Sequence, residues 1–250
     1  MATAVGRKVH PVFSGLADIM ETRQFDSEKD GECFDALYDY FVEHQMCGRF
    51  GVTLLHTHFS VFGNEVLVDY FNRQERILTT EVRSHEDKES IFPWSWRLFQ
   101  QNDHMALMPN QYLALSADVA EQDFFLNAHD KQILTGLGSV LRDHDALDRF
   151  GVRITPSFFA LDQGEHLMEY SDQENRTLEL VIEAEDTFKA SSFIETSWTF
   201  LSDLPVEAAA RCRLVPNFRC ITSCRTKGRG DYATHVTTGH KQTRFGSVHR

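Results

Sequence analysis

Residues 49–78 read RFGVTLLHTHFSVFGNEVLVDYFNRQERIL, and residues 149–178 read RFGVRITPSFFALDQGEHLMEYSDQENRTL. Laid over one another without gaps, residues 49–82 and 149–182 share 10 of 34 positions. Unrelated segments of average composition share about two. Arg49-Phe50-Gly51-Val52 falls on Arg149-Phe150-Gly151-Val152, and Phe59, Glu65, Leu67, Tyr70, Arg76 and Leu78 fall on identical residues. A repeat at a fixed offset is read before anything else, because it dictates the plan of the fold.

The match runs outward in both directions. Upstream, Phe34, Leu37, Phe41, Glu43 and His44 face Leu134, Leu137, Leu141, Asp143 and His144; downstream, Ser95-Trp96 resembles Ser197-Trp198. Phe34, Leu37, Tyr38, Phe41 and Val42 lie at helical spacing, so Ser27–His44 is expected to be a helix, with Lys131–Leu147 its counterpart. Ser27 and Asp30 suggest a loose capping box at its start. Three strand-like runs follow, 51–61, 65–71 and 76–83, with turn signals at Gly63-Asn64 and at 72–75. A fourth strand is expected to carry the tryptophans, and Leu98–Asp130 reads as a connector.

The expected fold class is therefore α+β. A helix-plus-antiparallel-meander unit is duplicated, and the two copies form a β-rich domain about a pseudo-two-fold axis. That domain covers 27–204, with repeats at 27–100 and 130–204, and 205–250 is a basic Cys/His tail packing on it.

Strand alternation singles out one place where the copies differ. Val52, Leu54, His56, His58 and Ser60 share a face, and Val152, Ile154, Pro156, Phe158 and Ala160 are their counterparts. The apolar second copy suggests that this face points inward. A two-residue turn at Gly63-Asn64 would set His58 opposite Asp69 and His56 opposite Phe71. His56, His58 and Asp69 then form a candidate centre. Two imidazoles and a carboxylate suit Fe(II) or Zn(II). Alternatively, Asp69 fixes the tautomer of His58 for acid–base work. His44 and His144 occur in both copies and read as helix C-terminal histidines, and Gly51 and Gly151 as positions of close packing. Trp94, Trp96 and Trp198 read as core residues or as walls of a pocket.

The net charge of −12 is uneven: residues 211–250 carry +8 and the rest −20. An acidic body argues against a nucleic-acid partner. No apolar run approaches a membrane span, and Met1–Gly15 lacks an apolar leader, so the expected compartment is the cytoplasm, without a membrane partner. Five cysteines without a leader argue against a disulfide scaffold, and Cys33 reads as a core residue. In the tail, Cys212, Cys220, Cys224, His235 and His240 form a second candidate set, for structural zinc. No nucleotide-binding glycine motif is present. The expected function is a small-molecule enzyme with the His56/His58/Asp69 centre in an apolar pocket, of oxygenase, lyase, isomerase or cyclase type. The alternative is a non-catalytic ligand-binding or regulatory protein with a zinc tail.

Overall fold

The computed structural model describes residues 8–86, 90–102, 104–115, 124–155, 161–162, 165–184, 193–200 and 218–225. Two α-helices occur among them, α1 (Ser27–Glu43) and α2 (Ala128–Asp143). The strands are β1 (Phe50–Leu54), β2 (Glu65–Asn72), β3 (Ile77–Ser84), β4 (Ile91–Gln101), β5 (His104–Ala114), β6 (Phe150–Ile154), β7 (Glu165–Asp172), β8 (Thr177–Ala184), β9 (Phe193–Phe200) and β10 (Phe218–Arg225). All ten close into one barrel in the order β1-β6-β4-β5-β2-β3-β8-β7-β10-β9. No described helix is long and apolar enough to cross a membrane.

This overturns the expected α+β pair of helix-plus-meander units: the molecule is mostly sheet, and the sheet is a closed barrel. The reason lies in β1. It pairs antiparallel with its own counterpart β6, Val52 facing Val152, and its other edge pairs with β9. Both edges are taken, so β2 pairs instead with β3 and, in parallel, with β5. Gly51 and Gly151 permit the crowding. A Cβ on Gly151 would lie 2.6 Å from the carbonyl oxygen of Trp96, and one on Gly51 would strike the carbonyl oxygen of Trp198.

The first strand also ends at Leu54, not at 61. The backbone of the next residues turns to the N-terminal lead. Thr57 N–H donates to Ala17 O, Ile19 N–H to Thr57 O, and His10 N–H to Val61 O, each at 2.9 Å. The stretch read as a connector carries the end of β4 and all of β5, a long hairpin. Residues 218–225, placed in the tail by the sequence reading, form the tenth strand of the wall.

The cap of helix α1 lies one residue earlier than expected, with the Asp26 carboxylate accepting from Glu28 N–H. Helix α2 has a full capping box, Asn127 with Asp130. Gln45 and Asp145 take left-handed backbone just after the two helices, which ends them. The His44 ring lies against Tyr40 at 4.3 Å between centroids. The helices meet through Tyr40, whose hydroxyl donates to Ile133 O at 2.8 Å. Their apolar stripes cover one face of the wall. Phe34 meets Phe150 and Trp198, each at 5.2 Å between ring centroids, and Phe41 stacks on Phe200. Fully burying such a side chain stabilises by about 1.5–3 kcal/mol.

The shared arginines explain why the repeat persists. Arg49 reaches across to the buried Asp130 of the other copy, at 2.7 and 2.8 Å. Arg149 returns the contact to Asp30, at 3.0 and 2.9 Å. Likewise Arg76 pairs with Glu165 and Arg176 with Glu65. Each copy thus holds the other. Arg49→Ala leaves the Asp130 carboxylate buried with only its cap contacts. Because Arg49 is itself half exposed, the expected cost is below that of a fully buried pair, about 1–3 kcal/mol. Urea denaturation of the variant reads it directly.

Candidate metal centre

Residues from eight of the ten strands line one cavity, which therefore lies inside the barrel. Thr53, Thr80, Trp94, Arg153, Glu169 and Leu180 represent six of those strands. Phe150 and Val152 alternate with Arg153 and so point the other way, into the layer shared with the helices. The sequence reading had assigned the Val52 and Val152 face to the inside together with the histidines. Because β1 stops at Leu54, alternation does not carry through to His56 and His58.

Both histidines nevertheless border the cavity, presented by the pinned segment after β1. His56 Nδ1 lies 2.8 Å from Leu54 O. A carbonyl oxygen only accepts, so Nδ1 carries the proton and the lone pair of a neutral ring sits on Nε2. That Nε2 lies 3.0 Å from His58 Nε2. The third member is Glu169 on β7, with Oε2 at 3.6 Å from His56 Nε2 and 3.5 Å from His58 Nε2. Its Oε1 accepts from the Thr196 hydroxyl at 2.9 Å, which fixes the carboxylate. Oε2 is buried and has no hydrogen-bond partner among the described residues.

These separations have a chemical meaning. Around a metal with bonds near 2.1 Å, adjacent ligand atoms lie about 3.0 Å apart in an octahedron and about 3.4 Å apart in a tetrahedron. The three donors sit at such distances, and they form a group able to hold an ion. Burial would raise the Glu169 carboxyl, but the two imidazoles beside it outweigh burial and hold it well below its ordinary range. Burial lowers His58, with Glu169 opposing and His56 reinforcing. A cation bound here would take the place of the imidazole protons beside that carboxylate, because metal ligands bind deprotonated.

Asp69 is not in the group. It faces Thr80 across β3 and Leu113 across β5, not His58. Its carboxylate accepts from the Trp94 indole at 2.6 Å and from the Thr80 hydroxyl. Burial pushes it up to about 6, against the pull of Thr80, Trp94 and Arg153. Glu169 occupies the position of Asp69 in the other copy, 100 residues on. The site therefore takes its imidazoles from one copy and its carboxylate from the other.

Arg153 is the second residue that sequence reasoning missed. It is 4% exposed, lies over the Trp94 ring at 4.4 Å, and borders the same cavity. The signal was a lone arginine in an otherwise apolar strand, Phe150–Ile154. All three tryptophans belong to the main core, and Trp94 also walls the cavity.

Of the tail set, Cys212, His235 and His240 lie outside the described residues, as do Pro156, Phe158 and Ala160. Cys220 packs at the margin of the main core, and its thiol is pushed well above its ordinary range, by burial first and then by Glu195. Cys224 packs with Ile19 in a separate cluster. Comparison with protein-family models, with curated proteins and with solved structures finds no match for this chain.

Proposed function

We propose that the protein is a metal-dependent small-molecule enzyme, in which His56, His58 and Glu169 hold one Fe(II) or Zn(II) ion inside the barrel. The observation that carries this reading is the trio of donor atoms at 3.0, 3.5 and 3.6 Å, with one buried carboxylate oxygen left unpaired. Three protein ligands leave coordination positions open for water or substrate, the arrangement of catalytic sites. Two histidines with one carboxylate are also the ligand set of non-haem Fe(II) oxygenases. Bound there, the ion would supply Lewis-acid activation of a substrate oxygen. The protein's own part is to fix the His56 tautomer through Leu54 O, orient the Glu169 carboxylate through Thr196, and enclose the reaction in a small space of mixed polar and apolar lining.

Metal titration tests the reading. Chelator-stripped protein is expected to bind one equivalent of Zn(II), or of Fe(II) under anaerobic conditions, by calorimetry and elemental analysis. His56→Ala is expected to abolish that equivalent. Wild-type protein that binds no metal, or a variant that binds as tightly as wild type, refutes the proposal.

A further inference from the structure

The unpaired edge of Arg153 says what the cavity receives. The side chain is buried, yet its Nε and Nη2 make no hydrogen bond to any described residue. Those two nitrogens form one edge of the guanidinium, with two parallel N–H bonds. A planar carboxylate matches that edge with two oxygens, whereas one such edge satisfies only part of a tetrahedral phosphate. Leaving it empty costs free energy, because buried N–H donors without an acceptor are expensive.

The charge balance points the same way. Counted by formal charge with neutral imidazoles, Glu169 and Arg153 on the cavity lining and Asp69, which sits behind it on the Trp94 indole, sum to −1. A divalent ion makes the sum +1, which one monoanion neutralises. The space is small, about 60 Å³. By that measure a single water needs about 10–15 Å³, so there is room for a few waters or a group of a few heavy atoms. Leu54, Leu78, Leu178 and Leu180 supply the apolar part of the lining.

We infer that Arg153 anchors the carboxylate of a small monocarboxylic acid beside the metal centre, so that the substrate is a short-chain carboxylate. This inference rests on the metal reading for the charge balance, but not for the guanidinium edge. Arg153 binds the group that does not react and places the rest of the molecule towards His56, His58 and Glu169. His58, Phe59 and Phe13 also border a wider, more open hollow, so the segment bearing the imidazoles separates the cavity from the outside.

Propionate is the probe, and Zn-loaded and metal-free protein are both titrated. Zinc content is measured on the same samples. Propionate is expected to bind Zn-loaded wild type and to move the side-chain Nε–H resonance of Arg153 in ¹⁵N-arginine-labelled protein. Arg153→Lys keeps the charge but loses the two-pronged edge. It is expected to retain one zinc and to bind propionate at least tenfold more weakly. If the lysine variant does not fold, the wild-type resonance still decides. An unmoved resonance, equal propionate affinity in the variant, or tighter binding of inorganic phosphate overturns the inference, and a bound zinc then leaves the metal reading intact. If zinc fails to bind while propionate still moves the Arg153 resonance, the anchor stands and the metal reading falls.

Discussion

Glu169→Gln is expected to lower the affinity for Zn(II) by at least about 100-fold while leaving the fold in place. Changing a group that merely orients a ligand costs 10–100-fold in affinity, and Glu169 would be a ligand itself. The amide keeps the volume of the carboxyl and can still accept from Thr196. It cannot supply the negative charge that offsets the ion. The comparison is made on apo and loaded protein by thermal denaturation. For wild type, zinc at about 100 times Kd adds about 2.7 kcal/mol. In a chain of this size, that raises Tm by about 5–10 °C. The variant is expected to show almost none of this rise at the same zinc concentration. An equal rise in the variant would assign the metal to another site.

The second large effect belongs to the wall. Gly151→Ala sets a methyl group 2.6 Å from the carbonyl oxygen of Trp96 and 2.9 Å from a methyl of Leu55. The first neighbour is backbone, and it belongs to β4, which pairs with β6 at Ser95–Arg153 and Trp96–Val152. It cannot swing away as the end of a side chain can. The strands must separate, and the helix layer above them must follow. Overpacking of this kind costs about 1–3 kcal/mol and sometimes more. A loss of about 3 kcal/mol lowers Tm by about 6–12 °C. Gly31→Ala is the control, because a Cβ there meets nothing within 4 Å and alanine favours a helix. A Gly151→Ala protein as stable as wild type would mean that the two central strands approach less closely than described.

Much of the local structure was legible. The spacing of Phe34, Leu37 and Phe41 places α1 within a residue of its bounds, because one apolar stripe decides a helix. The runs at 65–71 and 76–83 match β2 and β3 almost to the residue, since the turn at Asn72–Arg76 sets their register. The pairing of β1 was not legible. Local turn chemistry at Gly63-Asn64 favours a hairpin with β2, but the decisive partner of β1 lies 100 residues away, at β6. Register errors matter because they move every side chain, and here they moved the carboxylate from Glu169 to Asp69. A glycine at the same place in both copies, followed by an isolated Arg153, was the available hint that two backbones meet there. Long-range closure of the barrel leaves no shorter signature in sequence.

The reciprocal arginine contacts carry one more consequence. Arg49, Arg149, Arg76 and Arg176 each reach a carboxylate of the opposite copy, and β1 and β6 each lean on a strand from the other half. Neither repeat has a boundary of its own along which it could detach. The chain is a fused pair of interlocked partners, and melting either one dismantles the other. In such a molecule, scaffold and chemistry can part company. The interlock needs the matched residues in both copies, whereas the imidazoles that border the cavity occur only in the first. Duplication has left the barrel symmetric in what holds it shut and one-sided in what it encloses.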